Sequence, residues 1–397
     1  MINEESKNHQ YFMRLVFVLF FSYLAIAMAL PVLPLFVHSR LGGNNVWSGL
    51  VVGVLFLSTL ITRAQAGRLA DQHGGKACLL LGLRFYAVGS GVCLLSAFPA
   101  FGSDGRLGLL LAGRVLVGVG EGRVAVGAIM WGIGLLGQAR SGRVIVLNGI
   151  AAYAALAAGG PLGLIVFHHI GFAGLMVISA LLPIFGHVAV KELPEIAPLT
   201  GIRYSFRRVL SRIMVPGSVV GLQAVGFAGL GAFMPLYFFS QGWQHPGLGL
   251  SCLGGGFVLM RLVCGHLPDR LGAAWVAGGS LLIEAVGQYF VWLAHMPLEA
   301  FIGAFLTGVG CSLIFPAMGR EAINRVEPQM AGTAIAGFSA FQDLAYGLTS
   351  PLTGLLADYS GYAKVFLVGG LAATLGFIIV LRMLIGKWQT PSASQVL

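Results

Sequence analysis

Long apolar stretches separated by short polar segments run through the whole chain. Twelve of them are long enough to cross a membrane, at residues 15–37, 46–66, 77–98, 107–136, 144–167, 171–189, 213–239, 248–266, 273–294, 298–319, 331–356 and 364–385. A helix needs about 20 apolar residues to cross a bilayer. The alternating segments of about ten residues that build membrane β-barrels do not occur in the sequence. The pattern therefore predicts an all-α membrane protein with twelve transmembrane helices.

The composition supports the same conclusion. Of 397 residues, 57% are hydrophobic and 10% are charged, whereas soluble domains carry about 25% charged residues. This excess of apolar side chains excludes a soluble enzyme, a nucleic-acid-binding domain and a disulfide scaffold. The five cysteines lie in or beside apolar runs without CxxC or Cys/His spacing, so we predict no metal site and no cofactor.

The cations are distributed unequally between the two sides of the predicted membrane domain. The chain has a formal charge of +10, and loops on the side of the N-terminus hold fifteen Lys and Arg residues. The opposite loops hold only Arg40, Arg106 and Lys364. The positive-inside rule then places both termini in the cytoplasm. We expect a multi-pass protein of a bacterial inner membrane, in contact with membrane lipids and not with nucleic acid.

Two groups of residues recur at fixed distances along the chain. Arg63, Gly67, Asp71 and Gly74 recur 198 positions later as Arg261, Gly265, Asp269 and Gly272; Gly118, Gly120, Gly142 and Pro161 recur 190 positions later as Gly308, Gly310, Gly332 and Pro351. The repetition predicts a duplicated six-helix unit, with an N-terminal bundle at 1–190, a cytoplasmic connector at 191–212 and a C-terminal bundle at 213–397. The connector contains Pro194, Pro198 and a basic stretch. It is predicted to be a basic helix on anionic lipid headgroups.

The loop after the second span, 67–76, reads GRLADQHGGK. It resembles the G-x-L-a-D-r-x-G-r-k signature of the major facilitator superfamily, and the resemblance extends over essentially the whole chain. It implies two pseudo-symmetric six-helix bundles that alternate access to a central site. It also implies a gate motif made by Arg63, Gly67, Asp71, Gly74, Lys76, Arg261 and Asp269. The alternatives are an ordinary charged turn and arginines that only extend toward the membrane surface.

The fifth span contains Gly149 and then Gly160, Pro161 and Gly163. This segment is similar to the antiporter-associated signature of the superfamily, which implies export. A Gly-Pro step can bend a helix, and small residues can equally serve close helix packing. Both interpretations of the motif remain open at this stage.

Charged residues inside the apolar spans are the candidates for proton coupling. Arg114 and Gly118 resemble the R-x-x-x-G signature of the superfamily, whose Arg is implicated in coupling. A charge at a helix centre costs about 2.5–3.5 kcal/mol, so it needs a partner or water. Glu121 lies seven residues after Arg114 on the same helix face, and Asp343 lies deep in span eleven. Glu121, Asp343 and Arg114 are therefore the candidates, with a static interhelical pair as the alternative; for Glu284 a structural bond is expected.

Polar side chains in other spans are candidates for a substrate cavity. They are Tyr23, Tyr153, Gln223 and Gln342. Tyr153 is the counterpart of Asp343 at the 190-residue displacement. Each of the four could instead satisfy a backbone carbonyl group.

Taken together, these features predict a secondary active transporter, acting as a monomer, that exports a small organic metabolite or drug-like molecule in exchange for protons. Import of a metabolite or siderophore is the alternative within the same fold. The sequence has no HExxH, GxSxG or Walker A motif, which disfavours an enzyme and ATP-driven transport. A channel would favour a repeated polar filter over single buried acids.

Overall fold

The computed structural model describes residues 2–137, 140–196, 206–327 and 330–389. These ranges form eleven α-helices and one short 3₁₀-helix, Pro99–Phe101, and contain no β-strand. The helices are α1 (Ile2–Arg40), α2 (Asn45–Leu95), α3 (Gly102–Leu136), α4 (Ser141–Val190), α5 (Phe206–Ser240), α6 (Leu248–Cys264), α7 (Leu267–Arg270), α8 (Ala273–Trp292), α9 (Pro297–Asn324), α10 (Ala331–Ser360) and α11 (Ala363–Gln389). The prediction of an all-α protein is confirmed.

Seven of the described helices are long and apolar enough to cross a membrane. Two of these, α2 with 51 residues and α4 with 50, are too long for one crossing, because a straight helix of that length would extend about 75 Å. Each is broken at a glycine in the left-handed region, Gly74 (φ 83°) in α2 and Gly171 (φ 71°) in α4. Each therefore holds two segments of crossing length, in agreement with the paired spans that hydropathy indicates there. The total of twelve spans stays a prediction.

The connector differs from the expected surface helix in its described parts. Residues 191–196 are not helical and lie against the N-terminal bundle. The carbonyl oxygen of Leu193 accepts a hydrogen bond from Lys76 Nζ (2.7 Å), and that of Pro194 accepts one from Trp131 Nε1 (3.2 Å). Residues 206–212 already belong to α5. The remainder of the connector, with Pro198, lies outside the described residues.

The internal repeat is visible in the packing of the two halves. A Cβ atom on Gly118 in α3 would collide with the carbonyl oxygen of Leu55, and one on Gly308 in α9 would collide with that of Leu253. The glycine pairs Gly89–Gly113 and Gly287–Gly303 make matching backbone contacts. In each contact, the residue of the earlier helix (Leu55, Gly89) is displaced by 198 positions and its neighbour on α3 (Gly118, Gly113) by 190. Helices α1–α4 and α5–α11 thus form two pseudo-symmetric bundles.

The bundles touch along two seams at the side of the molecule opposite the start of α1, which we call the far side. In the first seam, between α2 and α10, Asp358 Oδ1 accepts hydrogen bonds from Asn45 N (3.2 Å) and Asn45 Nδ2 (2.8 Å). Tyr362 Oη donates to Asn45 Oδ1 at 2.9 Å. In the second seam, between α4 and α6, Gly254 lies against the backbone of Ala157. These contacts join the bundles on the far side, and we call this arrangement far-closed.

Candidate functional site

A charge pair in the interior connects the two bundles. Arg63 on α2 donates from Nε to Asp343 Oδ2 on α10 at 2.7 Å, and its Nη2 contacts the same oxygen. Asp343 is 6% exposed. Because the two residues belong to different bundles, the contact can persist only while the bundles keep this relative position.

Glu121 on α3 lies beside this pair. Its Oε1 accepts a hydrogen bond from Tyr23 Oη of α1 at 3.4 Å, and its Oε2 is buried without a hydrogen-bond partner. The guanidinium of Arg63 attracts both carboxylates, which in turn repel each other. We call Arg63, Asp343, Glu121 and Tyr23 the acid cluster. With one guanidinium and two ionised carboxylates, the cluster has a net charge of −1. Binding of one proton would neutralise it.

Arg114 does not join the acid cluster. Its side chain is 3% exposed, and Nε donates to the carbonyl oxygen of Val51 at 3.1 Å. Tyr86 and Cys93 surround it, and no ion pair joins it to Glu121. A shared helix face therefore did not bring these two residues into direct contact, and the role of Arg114 in proton coupling stays a prediction.

A second group of side chains, which we call the aromatic stack, bridges the bundles at the pseudo-symmetric position. Tyr153 of α4 lies parallel to Phe257 of α6, with ring centroids 3.3 Å apart. The guanidinium carbon of Arg261 also lies over the Phe257 ring, 5.1 Å from its centroid. The Tyr153 hydroxyl interacts with that of Tyr346 on α10, which accepts a hydrogen bond from Gln342 Nε2 at 2.9 Å.

The two groups correspond through the internal repeat. Arg63 and Arg261 are related by 198 positions, and Asp343 and Tyr153 by 190. The position that supplies a carboxylate to Arg63 in the acid cluster is thus occupied by a neutral phenol in the aromatic stack. Glu121 likewise corresponds to Cys311, so the repeat preserves positions while changing their charge.

Gln223 lies within the C-terminal bundle, where it is 1% exposed and donates from Nε2 to Cys311 Sγ at 3.1 Å. Glu284 of α8 is beside them, fully buried, and neither of its carboxyl oxygens has a hydrogen-bond partner within the distance limits of a normal bond. Of the four cavity candidates, Tyr23, Tyr153 and Gln342 thus lie in groups between the bundles. Gln223 does not.

Of the gate-motif residues, Arg63 and Arg261 belong to the two interior groups, and the others lie nearer the side of the termini. Gly74 forms the turn that breaks α2, and its positive φ is a conformation that glycine adopts without strain. Gly67 is not closely packed, because a Cβ there would meet nothing within 4 Å. Lys76 binds the connector rather than another helix end. Asp269 forms an ion pair with Arg320 of its own bundle.

Three residues of the helix-bend motif of α4, Gly160, Pro161 and Gly163, are closely packed in this conformation. A Cβ on Gly163 would collide with the backbone of Met28 in α1, and one on Gly160 would lie 2.8 Å from the Gly247 carbonyl oxygen. Pro161 also lies against Gly247. Gly149 has open space beside it. The non-helical dihedral angles of α4 occur at Gly171, not at the Gly-Pro step.

Sequence reasoning missed Phe257 and Tyr346 as members of the site. Both are aromatic residues in apolar helices, and nothing in their spacing distinguishes them from core residues. The sequence contained one usable signal, because Phe257 lies one helical turn before the repeated Arg261 and Tyr346 lies one turn after Gln342.

Comparison with known proteins adds a consistent set of likenesses. The family model described as Major Facilitator Superfamily matches residues 15–267 and 217–396. A protein of Salmonella typhimurium, described as an uncharacterized MFS-type transporter, is 40% identical over 368 residues, which cover 92% of this chain and 95% of the relative. The solved structure of the nucleoside transporter NupG has a TM-score of 0.75 at 14% identity and covers 94% of this chain and 99% of its own. That of the human organic anion transporter MFSD10 has a TM-score of 0.72 at 16% identity, with coverages of 94% and 99%. The two solved structures share the fold.

Proposed function

Because the chain belongs to the major facilitator superfamily, we propose that this membrane transporter exports a small organic molecule in exchange for protons by alternating access. The family is one of transporters rather than enzymes. The observation that carries the proposal is the acid cluster, in which one arginine faces two carboxylates between the bundles.

The acid cluster supports proton coupling because its central contact crosses between the bundles. Protonation of Asp343 replaces its ion pair with Arg63 by a weaker contact between the guanidinium and a neutral carboxyl group. The contact is made while the far side is closed. A proton therefore changes the free-energy difference between the far-closed and far-open arrangements, which is the requirement for coupling.

The proposed cycle assigns the far side to the periplasm, with both termini in the cytoplasm of a bacterial inner membrane. In the far-open state a proton from the periplasm enters the acid cluster and the exported molecule leaves. The bundles then return to the far-closed state, and the proton leaves toward the cytoplasm. A membrane potential of 100 mV contributes about 2.3 kcal/mol for each charge that crosses.

The coupling is tested by following the conformation of purified protein against pH. Spin labels are placed at the exposed far-side positions Asp104 of the N-terminal bundle and Leu298 of the C-terminal bundle, after serine replaces the half-buried Cys252 and Cys264. We expect the distance distribution to change between pH 5 and pH 8 in the parent protein, and to be insensitive to pH in Asp343→Asn.

The control is Glu192→Gln, which neutralises an exposed carboxylate at the near end of the connector. It should respond to pH as the parent does. If Asp343→Asn keeps the full pH response, or if the parent has none, proton coupling through this cluster is refuted.

The direction of transport is tested in everted membrane vesicles that are acidified inside by respiration. A molecule exported in exchange for protons enters such vesicles from the medium and releases internal protons, which dequenches a pH-sensitive dye. For proton-coupled import, the same addition causes no dequenching. Proton release without added substrate would instead indicate a leak and contradict exchange.

A further inference from the structure

We propose that Arg261 binds an anionic group of the transported molecule, so that the substrate is a small organic anion. The proposal rests on the proposed transport function, and it adds the chemical class of the substrate and the residue that recognises it. It is carried by the burial of Arg261, by its missing counter-charge and by its position between the bundles.

Within the part of the chain that the structure describes, Arg261 is a buried cation without an acidic partner. It is 8% exposed, and its Nε is buried with no hydrogen-bond acceptor. Among the described residues, the ion pairs involve Arg63, Arg140, Arg320 and Arg325 but not Arg261. A guanidinium is unfavourable in apolar surroundings unless an anion or water compensates its charge. Its burial also argues against a side chain that only extends to the membrane surface.

The internal repeat identifies what is missing. Arg63, the counterpart of Arg261, is neutralised by Asp343. The residue at the position equivalent to Asp343 is Tyr153, which has no negative charge at neutral pH. The fold thus provides the same cross-bundle position twice but supplies the carboxylate only once. At the second position an anion from outside the chain can take the place of the carboxylate.

The surroundings of Arg261 are suited to an organic anion. A guanidinium presents a planar set of donors that matches a carboxylate or a phosphate. The rings of Phe257 and Tyr153 provide flat apolar surface beside it, and the Tyr346 hydroxyl and the Gln342 amide add polar groups nearby. Since these residues come from both bundles, an anion bound here would be linked to their relative movement.

The experiment measures ligand-induced stabilisation of the full-length protein in detergent. The probes share one ring and differ in charge: benzoate, phenyl phosphate, neutral benzamide and cationic benzamidine, within a wider panel of carboxylates and phosphate monoesters. We expect one or both classes of anion to raise the melting temperature. Comparison of the shifts caused by carboxylates and by phosphates then shows which anionic group the substrate carries. A panel in which no anion is favoured over its neutral analogue would overturn the proposal.

The decisive variants are Tyr153→Asp and Tyr153→Asn, which have the same size and differ in charge. The aspartate recreates the arrangement of Arg63 and Asp343, so it should neutralise Arg261 internally and weaken anion binding at least tenfold relative to the asparagine variant. The ligand-free melting temperature of the aspartate variant should equal or exceed that of the asparagine variant. Equal anion affinity in the two variants would refute the role of Arg261.

Arg261→Lys and Arg261→Gln complete the set. The lysine should retain part of the anion response and the glutamine should lose it, whereas an equal response from both would contradict recognition by charge. Failure of these tests is distinguishable from failure of proton coupling, because the pH-dependent distance between the labels at 104 and 298 involves Asp343 and needs no ligand.

Discussion

The far-side seam between α4 and α6 leaves no room for a side chain at Gly254. A Cβ there would lie 2.7 Å from the backbone nitrogen of Ala157 and 2.7 Å from the carbonyl oxygen of Tyr153, whereas ordinary contacts begin at 3.4 Å. Gly254→Ala therefore requires the two helices to separate by about 0.7 Å. Because the atoms involved are backbone atoms of opposite bundles, the clash disappears only when the far side opens.

The size of the effect follows from the usual cost of overpacking. An extra methyl group in a closely packed interface costs about 1–3 kcal/mol. If this cost applies to the far-closed state alone, the ratio of far-open to far-closed molecules rises about 5- to 150-fold. Folding of each bundle should be affected little, since the clash is between bundles.

The neighbouring residue provides a matched control. A Cβ on Gly255, in the same helix, would meet nothing within 4 Å. Replacement of a helical glycine by alanine otherwise stabilises by roughly 0.5–1 kcal/mol, so Gly255→Ala should keep the far-closed population and melt no lower than the parent. The assay is the distance distribution between spin labels at 104 and 298 in detergent and in nanodiscs.

The expected result is a longer far-side distance for Gly254→Ala alone. Identical distributions for the two alanine variants would show that this seam does not separate during the cycle. A general loss of melting temperature with no new distance would show that the contact supports the fold rather than the conformational switch. Either result would refute the reasoning.

Two further predictions concern other contacts of the same structure. Asn45→Ala removes the side-chain hydrogen bond from Nδ2 to Asp358 and the one that Oδ1 accepts from Tyr362, and keeps the backbone bond to Asp358. A bond to a charged group contributes about 1.5–3 kcal/mol, so the far-side distance should lengthen, and an unchanged distribution would contradict a gating role. Glu284→Gln replaces a fully buried carboxyl group that has no normal hydrogen-bond partner with a neutral group of the same shape. Its melting temperature at pH 8 should equal or exceed that of the parent, because no buried charge remains to be compensated. A clearly lower value would indicate an ionic role for Glu284.

Hydropathy and the internal repeat were sufficient to predict an all-helical membrane fold of two similar bundles, because lipid imposes a fixed length on apolar segments and duplicated sequences pack alike. Hydropathy did not predict that α2 and α4 each join two spans with only one glycine between them. A single residue at Gly74 or Gly171 reverses the chain, and hydropathy averages over many residues. The non-helical conformation of residues 191–196 was also not predicted. Lys76 and Trp131 donate hydrogen bonds to backbone carbonyls of this segment, and such bonds leave no signature in the sequence.

The sequence identified several residues of the site but not the contacts between them. Glu121 and Asp343 stand out because charge is costly in an apolar span. The partner of Asp343 lies 280 positions away on the other bundle. Helical periodicity shows which residues share a face of one helix, but not which helix of the other bundle packs against that face. Arg114 illustrates the same limit: it shares a helix face with Glu121 but binds the carbonyl of Val51.

The unequal charge of the two symmetry-related positions, a carboxylate at Asp343 and a phenol at Tyr153, has an electrical consequence. If one proton moves inward for each monoanion that moves outward, every turnover transfers two elementary charges across the bilayer. At 100 mV the voltage alone then supplies about 4.6 kcal/mol, equivalent to a concentration ratio of roughly two thousand. Accumulation outside the cell would thus persist even when the two compartments have the same acidity.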